Sequence, residues 1–227
     1  GFNLTMPNKN KIVELLDELS PEAQLIGAVN TVLNDNGKLI GYNTDGYGFM
    51  QSVRDAGHDI TGKNITVMGV GGASMAICAQ SALDGAASVH IFARRTSRYW
   101  NRTQKFAENL SAKTGCQVCL FDNDDHTALR DSIAQSYLLI NATSVGMVPD
   151  IDDTIIKDTS LFHPELVVAD VVYEPQETRL LREAKAVGCQ TFNGMYMLLH
   201  QGAKAFQIWT GQEMPVSVIK EKYFSVK

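Results

Sequence analysis

Asn64-Ile65-Thr66-Val67-Met68-Gly69-Val70-Gly71-Gly72-Ala73-Ser74 is the stretch that decides the fold. Ile65 to Met68 is a short, largely apolar run bounded by a turn signal, which reads as a buried strand. A glycine-rich turn follows, and small residues continue as a helix to Leu83. Ser88 to Ala93 is a second strand, so the unit takes about 30 residues, the size of a βαβ crossover. Gly69 permits the tight turn. Gly71 lets the backbone approach a pyrophosphate, which the free N–H groups and dipole of the helix start attract. Ser74 holds the third position of the G-x-G-x-x-G pattern. It is small enough for close helix packing, and its hydroxyl is expected to donate to phosphate. The competing reading is a turn that is glycine-rich for geometry alone. Further strands at Val118–Phe121, Tyr137–Asn141 and Leu166–Asp170 alternate with helical stretches. This alternation predicts an α/β fold with a doubly wound, Rossmann-like parallel sheet covered on both faces.

The end of the second strand distinguishes between cofactors. An NAD site usually carries an acid there for the ribose 2′-hydroxyl. This sequence has Ala93-Arg94-Arg95-Thr96-Ser97-Arg98 instead. Guanidinium groups suit the additional 2′-phosphate of NADP, so NADP is expected and NAD stays open. A solvated basic turn is the alternative.

Upstream, Lys9 to Leu19 has apolar residues at helical spacing, with Pro21 read as its end. Gly27 to Leu33 reads as a strand, Asp35-Asn36-Gly37 as a tight turn and Leu39 to Tyr42 as the returning strand. Asn43-Thr44-Asp45-Gly46 opens a helix to about Ala56, and residues 57–62 look like a linker. A final helix runs from Met195 to Trp209.

Composition narrows the function. A net charge of -5 offers no basic surface for nucleic acid. No apolar run approaches the about 20 residues a membrane helix needs, and no leader directs the chain out of the cytoplasm. Cys116-Gln117-Val118-Cys119 lacks a second pair or a suitable His, so it reads as part of a strand from Cys116 to Phe121 with free thiols. The five histidines show no ligand spacing, and Asp122-Asn123-Asp124-Asp125 lacks the glycine and distal glutamate of a calcium loop. No metal is expected.

Several motifs occur in one order: Asn3-Leu4-Thr5-Met6-Pro7-Asn8-Lys9, Gly27-Ala28-Val29-Asn30-Thr31, Asn43-Thr44-Asp45-Gly46, Gly69 to Ser74, Asn141-Ala142-Thr143-Ser144-Val145-Gly146-Met147 and Gln201-Gly202-Ala203. Together they resemble the shikimate dehydrogenase family, with wording at the start closest to its quinate/shikimate branch. The resemblance covers essentially the whole chain. It implies that Lys9 and Asp45 are the catalytic pair beside the oxidised hydroxyl. Asn3, Thr5, Asn30 and Gln201 would hold ring hydroxyls. Gly69, Val70, Gly71, Gly72, Ala73 and Ser74, with Ala93, Arg94, Arg95, Thr96 and Arg98, would hold the cofactor's phosphates and ribose. Asn141, Thr143, Ser144, Met147, Val172, Tyr173 and Gly194 would surround the nicotinamide.

It also implies a smaller α/β substrate domain over 1–60, a nucleotide domain over 61–193, and C-terminal helices over 194–227 that return to the first. The family's N-terminal segment, with a serine pair for the substrate carboxylate, is absent, so the sequence is expected to begin partway through a domain. An acid often stands where this chain has Thr96, and Met195-Tyr196-Met197 replaces a more glycine-rich stretch. The expected reaction is reversible reduction of 3-dehydroshikimate to shikimate, or the quinate equivalent, by a monomer or homodimer acting on small molecules. A sensor that binds without turnover is the competing class; it has no need of a proton-transfer pair. Taken singly, Lys9 could be a solvated helix residue, Asp45 a helix cap and Tyr173 core packing.

Overall fold

The computed structural model describes residues 1–5 and 7–224. Met6 of the opening motif and residues 225–227 of the C-terminal segment lie outside them. Two sheets organise the chain. Strands β1 (Phe2–Asn3), β2 (Glu18–Leu19), β3 (Thr31–Asp35) and β4 (Lys38–Tyr42) form a mixed sheet in the order β1-β3-β4-β2. The β3–β4 hairpin turns at Asn36 and Gly37, with φ of 53° and 98°. Both residues in the left-handed region give the turn whose twist matches the flanking strands.

The second sheet has six strands in the order β10-β9-β8-β5-β6-β7, every pairing parallel. They are β5 (Asn64–Met68), β6 (Ser88–Ala93), β7 (Gln117–Asp122), β8 (Leu138–Asn141), β9 (Val167–Asp170) and β10 (Gln190–Phe192). The chain runs outward from β5 through β6 to β7, then returns to the other side of β5 as β8. That reversal opens a crevice at the carboxyl ends of β5 and β8, where doubly wound folds bind ligands. Ile65, Val67, Leu138 and Ile140 are completely buried in its centre, each contributing about 1.5–3 kcal/mol of hydrophobic stabilisation.

Helices α1 (Pro21–Ile26), α2 (Asp45–Asp55), α3 (Gly72–Leu83), α4 (Trp100–Thr114), α5 (His126–Gln135), α6 (Arg179–Val187), α7 (Met195–Thr210) and α8 (Val216–Ile219) cover the sheets. The small residues of α3 are buried almost all round, because the helix is packed between the parallel sheet, α1 and α2. Helix α7 runs back along α2, and its Trp209 Nε1 donates to the Val32 carbonyl of β3 at 2.9 Å. Among the described residues no helix is long and apolar enough to cross a membrane.

The structure corrects several local readings. Pro21 opens a helix: it is the first residue of α1, and the Ser20 side chain accepts from Ala23 N. Proline suits a first helical turn, whose N–H groups have no intrahelical partner. The Lys9–Leu19 stretch is a turn, a 3-10 segment over Lys11–Leu15 and then β2. Lys9 therefore precedes one short turn of helix. The strand placed at 27–33 occupies Thr31–Asp35, and the strand placed at Cys116–Phe121 occupies Gln117–Asp122.

Candidate active site

Lys9 and Asp45 meet at the centre of the cleft. Lys9 Nζ lies 2.6 Å from Asp45 Oδ2, with side-chain exposures of 19% and 10%. The lysine backbone is fixed because its carbonyl accepts from Val29 N. Asp45 starts α2 but is not its cap: its second oxygen, Oδ1, accepts from Asn30 Nδ2 at 2.8 Å. Its own N–H donates to Asn43 Oδ1, while Asn43 Nδ2 donates to the Ala28 carbonyl. A buried carboxylate so restrained can hold the ammonium in one place.

Asn30, 2% exposed, is the hub of this floor. Its side-chain oxygen Oδ1 accepts from Thr44 N at 2.9 Å and from Thr31 Oγ1 at 2.9 Å, and Nδ2 also donates to Thr44 Oγ1. Gln201 Oε1 on α7 approaches Asn30 Nδ2 at 3.4 Å, the weakest of these contacts. Asn3 on β1 donates to Thr31 Oγ1 and to the backbone carbonyl of Asn30. Elements separated by up to 171 positions thus converge on one polar surface.

That surface floors a cavity of about 470 Å³, whose walls also include Thr5, Met197 and Leu198. A groove of about 760 Å³ runs from it along the carboxyl ends of the parallel strands. Ala73, Val171 and Tyr173 belong to both, so the two spaces share a wall. Gly69, Val70, Gly71, Gly72 and Ala73 line the groove's base; Arg94, Thr143, Ser144, Met147 and Val172 line its sides. A Cβ on Gly71 or Gly72 would meet nothing within 4 Å, which leaves the turn open for a phosphate to lie against its N–H groups. Gly69 is different: its φ is 112°, and a Cβ would come within 2.8 Å of Thr143 and 2.9 Å of the Ala142 carbonyl. The observed residues fit a dinucleotide.

Other expected contacts are not in the groove. Ser74 is fully buried and donates back to the Gly69 carbonyl at 2.5 Å, closing the turn rather than facing a phosphate. Arg95 lies over the Trp100 ring at 4.6 Å and Arg98 over Tyr99 at 4.7 Å. Thr96 is exposed outside it, and Ala93 is buried in β6. Arg94 is the one arginine of the run that lines the groove among the described residues. Asn141 is buried behind the groove wall, and Gly194 lines the smaller cavity instead. Tyr173 is 38% exposed, so it is not core packing. Tyr99, Val148 and Glu174 complete the groove; these were missed because a loop residue shows no periodicity to mark which wall it joins.

A groove shaped for a dinucleotide that opens onto a lysine–carboxylate pair is what hydride exchange between a nicotinamide and a small alcohol requires, and fold and site assign the chain to that class of oxidoreductase. A shikimate dehydrogenase (NADP(+)) of Listeria innocua is 52% identical over 224 residues, covering 99% of this chain and 77% of that protein. The chain belongs to the shikimate dehydrogenase family. A quinate/shikimate dehydrogenase of Escherichia coli is 42% identical over 97% of the chain and 76% of its own length. The family profile "Shikimate dehydrogenase substrate binding domain" matches residues 1–32, and "Shikimate 5'-dehydrogenase C-terminal domain" matches residues 194–222. Among solved structures, shikimate 5-dehydrogenase from Listeria monocytogenes in complex with shikimate and NAD superposes with a TM-score of 0.93. It is 52% identical, covering 96% of this chain and 75% of that one.

Proposed function

We propose that the protein interconverts 3-dehydroshikimate and shikimate with NADP(H), in the direction that serves aromatic amino-acid synthesis. The observation that carries this reading is the Lys9–Asp45 pair on the floor of a polar cavity that shares a wall with the dinucleotide groove. A nicotinamide bound in that groove supplies the hydride for reduction and takes it back in oxidation. As the substrate carbonyl is reduced, its oxygen must gain a proton, and Lys9 Nζ donates it; in oxidation the same nitrogen takes the hydroxyl proton. Asp45 holds Lys9 in reach, and Asn30 holds Asp45. Asn3, Thr5 and Gln201 offer donors and acceptors to the remaining ring hydroxyls. The described residues of 1–60 and 194–227 make the substrate lobe and 61–193 the nucleotide lobe.

In this reading the partners are small molecules, and the assembly is a monomer or homodimer. The free cysteines at 78, 116, 119 and 189 suit a reducing compartment, and the cytoplasm is the proposed setting.

Absorbance assays of the full-length protein with shikimate and quinate, each against NADP and NAD, test the activity. Turnover is expected with shikimate and NADP; no absorbance change in any combination would remove the enzyme reading. Arg94 carries the cofactor preference. Arg94→Ala is expected to raise the KM for NADP about tenfold or more, the loss of a charge-assisted contact to the 2′-phosphate, while leaving NAD nearly unaffected. Arg95→Ala should do less, because that guanidinium is stacked on Trp100. Equal losses for both cofactors in Arg94→Ala would remove the 2′-phosphate contact.

A further inference from the structure

Asp170, the last residue of β9, is completely buried and among the described residues has no cationic partner. Burial pushes its carboxyl up to about 6, against the opposing pull of its hydrogen bonds. A buried carboxylate without a counter-charge is costly unless donors surround it. Here they do. Oδ1 accepts from Asn141 Nδ2 at 3.0 Å and from Val172 N at 2.9 Å, and Oδ2 accepts from Thr178 Oγ1 at 2.8 Å.

Val172 lines the groove, while Asn141 and Thr178 stand behind its wall. Asn141 ends β8 directly opposite Asp170 in the parallel register. Its Oδ1 accepts from Thr143 N and Thr143 Oγ1, and its Nδ2 also donates to the Val145 carbonyl, which shapes the 141–147 loop. Val172 leads into Tyr173 and Glu174, which also line the groove. Thr178 caps α6, and a Cβ added at Gly146 would lie 3.5 Å from its own Cβ, so the cap also supports the loop from behind. Thr143 in turn backs onto Gly69 of the glycine-rich turn.

We propose that Asp170 is a positioning residue for the cofactor: its two carboxylate oxygens tie the 141–147 loop and the 171–174 segment, which line the groove, to each other and to the start of α6 behind them. It touches neither substrate nor nicotinamide. Its role requires an acceptor at the point where these donors converge, since that acceptor fixes how Asn141 and Thr178 are turned. If the wall is correctly formed only part of the time, apparent cofactor affinity falls by that fraction. This inference rests on the nicotinamide-site reading above.

The test is NADPH fluorescence titration of the full-length protein without shikimate, well below each variant's melting temperature. Asp170→Ala is expected to weaken NADPH binding about tenfold or more, and Thr178→Val by a smaller factor in the same direction. Asp170→Asn keeps an oxygen for Asn141 and Val172 and can turn its amide toward Thr178 Oγ1, so it should stay within about threefold of the unaltered protein. A purely structural role would lower the melting temperature of Asp170→Ala and leave its NADPH affinity unchanged while folded; that result overturns the proposal. An Asn variant as weak as the Ala variant overturns it too, since the effect would then follow charge and not the acceptor geometry. Failure of the unaltered protein to bind NADPH would instead overturn the function itself, and the inference with it.

Discussion

Lys9→Met is expected to lower turnover by about two to four orders of magnitude, the range over which a positioned general acid–base group contributes. Methionine keeps most of the aliphatic length and removes the amine that stands within hydrogen-bond reach of Asp45 Oδ2 and would exchange a proton with substrate. Cofactor binding should change little, since Lys9 does not line the dinucleotide groove. The measurements are kcat with shikimate and NADP, and NADPH affinity by fluorescence. Lys9→Arg separates charge from proton transfer: a guanidinium can pair with Asp45 but does not give up its proton in a protein. The arginine variant should therefore fold with its ion pair and remain nearly as inactive as the methionine variant. Turnover near the unaltered level in either one would take Lys9 out of the proton-transfer role.

What the sequence showed of this site follows the range of the forces involved. The β5–α3–β6 unit and the β3–β4 hairpin are local: periodicity, a glycine-rich turn and an Asn-Gly pair name them without knowledge of the rest of the chain. Elements that exist only by pairing were invisible. β2 is two residues long and forms because Glu18 and Leu19 lie beside Ile40 and Gly41; β10 is three residues at the sheet's edge. Pro21 was misread because proline both stops a helix and starts one, and the cap that decides between them, Ser20, is a single residue.

The site divides in the same way. Lys9, Asp45, Asn30 and Gln201 were legible as a group only through their resemblance to a family, since no spacing rule links α7 to the first strands. The arginine run told of charge but not of direction. Trp100 and Tyr99 each draw one guanidinium onto an aromatic face, and that choice depends on how α4 begins. Ser74 was expected at a phosphate, yet a buried hydroxyl takes the nearest acceptor, and here that is the Gly69 carbonyl. Asp170 passed unnoticed as the polar end of an apolar strand.

Gly48→Ala is expected to reduce catalysis about a hundredfold through a contact outside the cavity, the scale of loss that follows a displacement near one ångström at a reacting centre. Gly48 lies on α2, one turn beyond Asp45, where α7 crosses. A Cβ there would stand 2.6 Å from Gln201 N and 2.7 Å from the Met197 carbonyl. Both are backbone atoms, so no rotamer change relieves the overlap, and one helix must move away from the other. Asp45 and Gln201 sit on those two helices, and Asn30 holds both; separating the helices breaks the longer Gln201 contact first. Alanine also favours helix over glycine by up to about 1 kcal/mol, against about 1–3 kcal/mol for overpacking. The net loss of stability should therefore be modest, while kcat/KM for shikimate falls steeply. Gly202→Ala is the paired control. It adds the same methyl to α7 next to Gln201, but its Cβ would meet nothing within 4 Å, so only the gain in helix propensity remains. The expected result is a lowered melting temperature and poor turnover for Gly48→Ala, with both properties kept or the first improved for Gly202→Ala. Matching kinetics in the two variants would mean that the α2–α7 contact does not set the spacing of the active site.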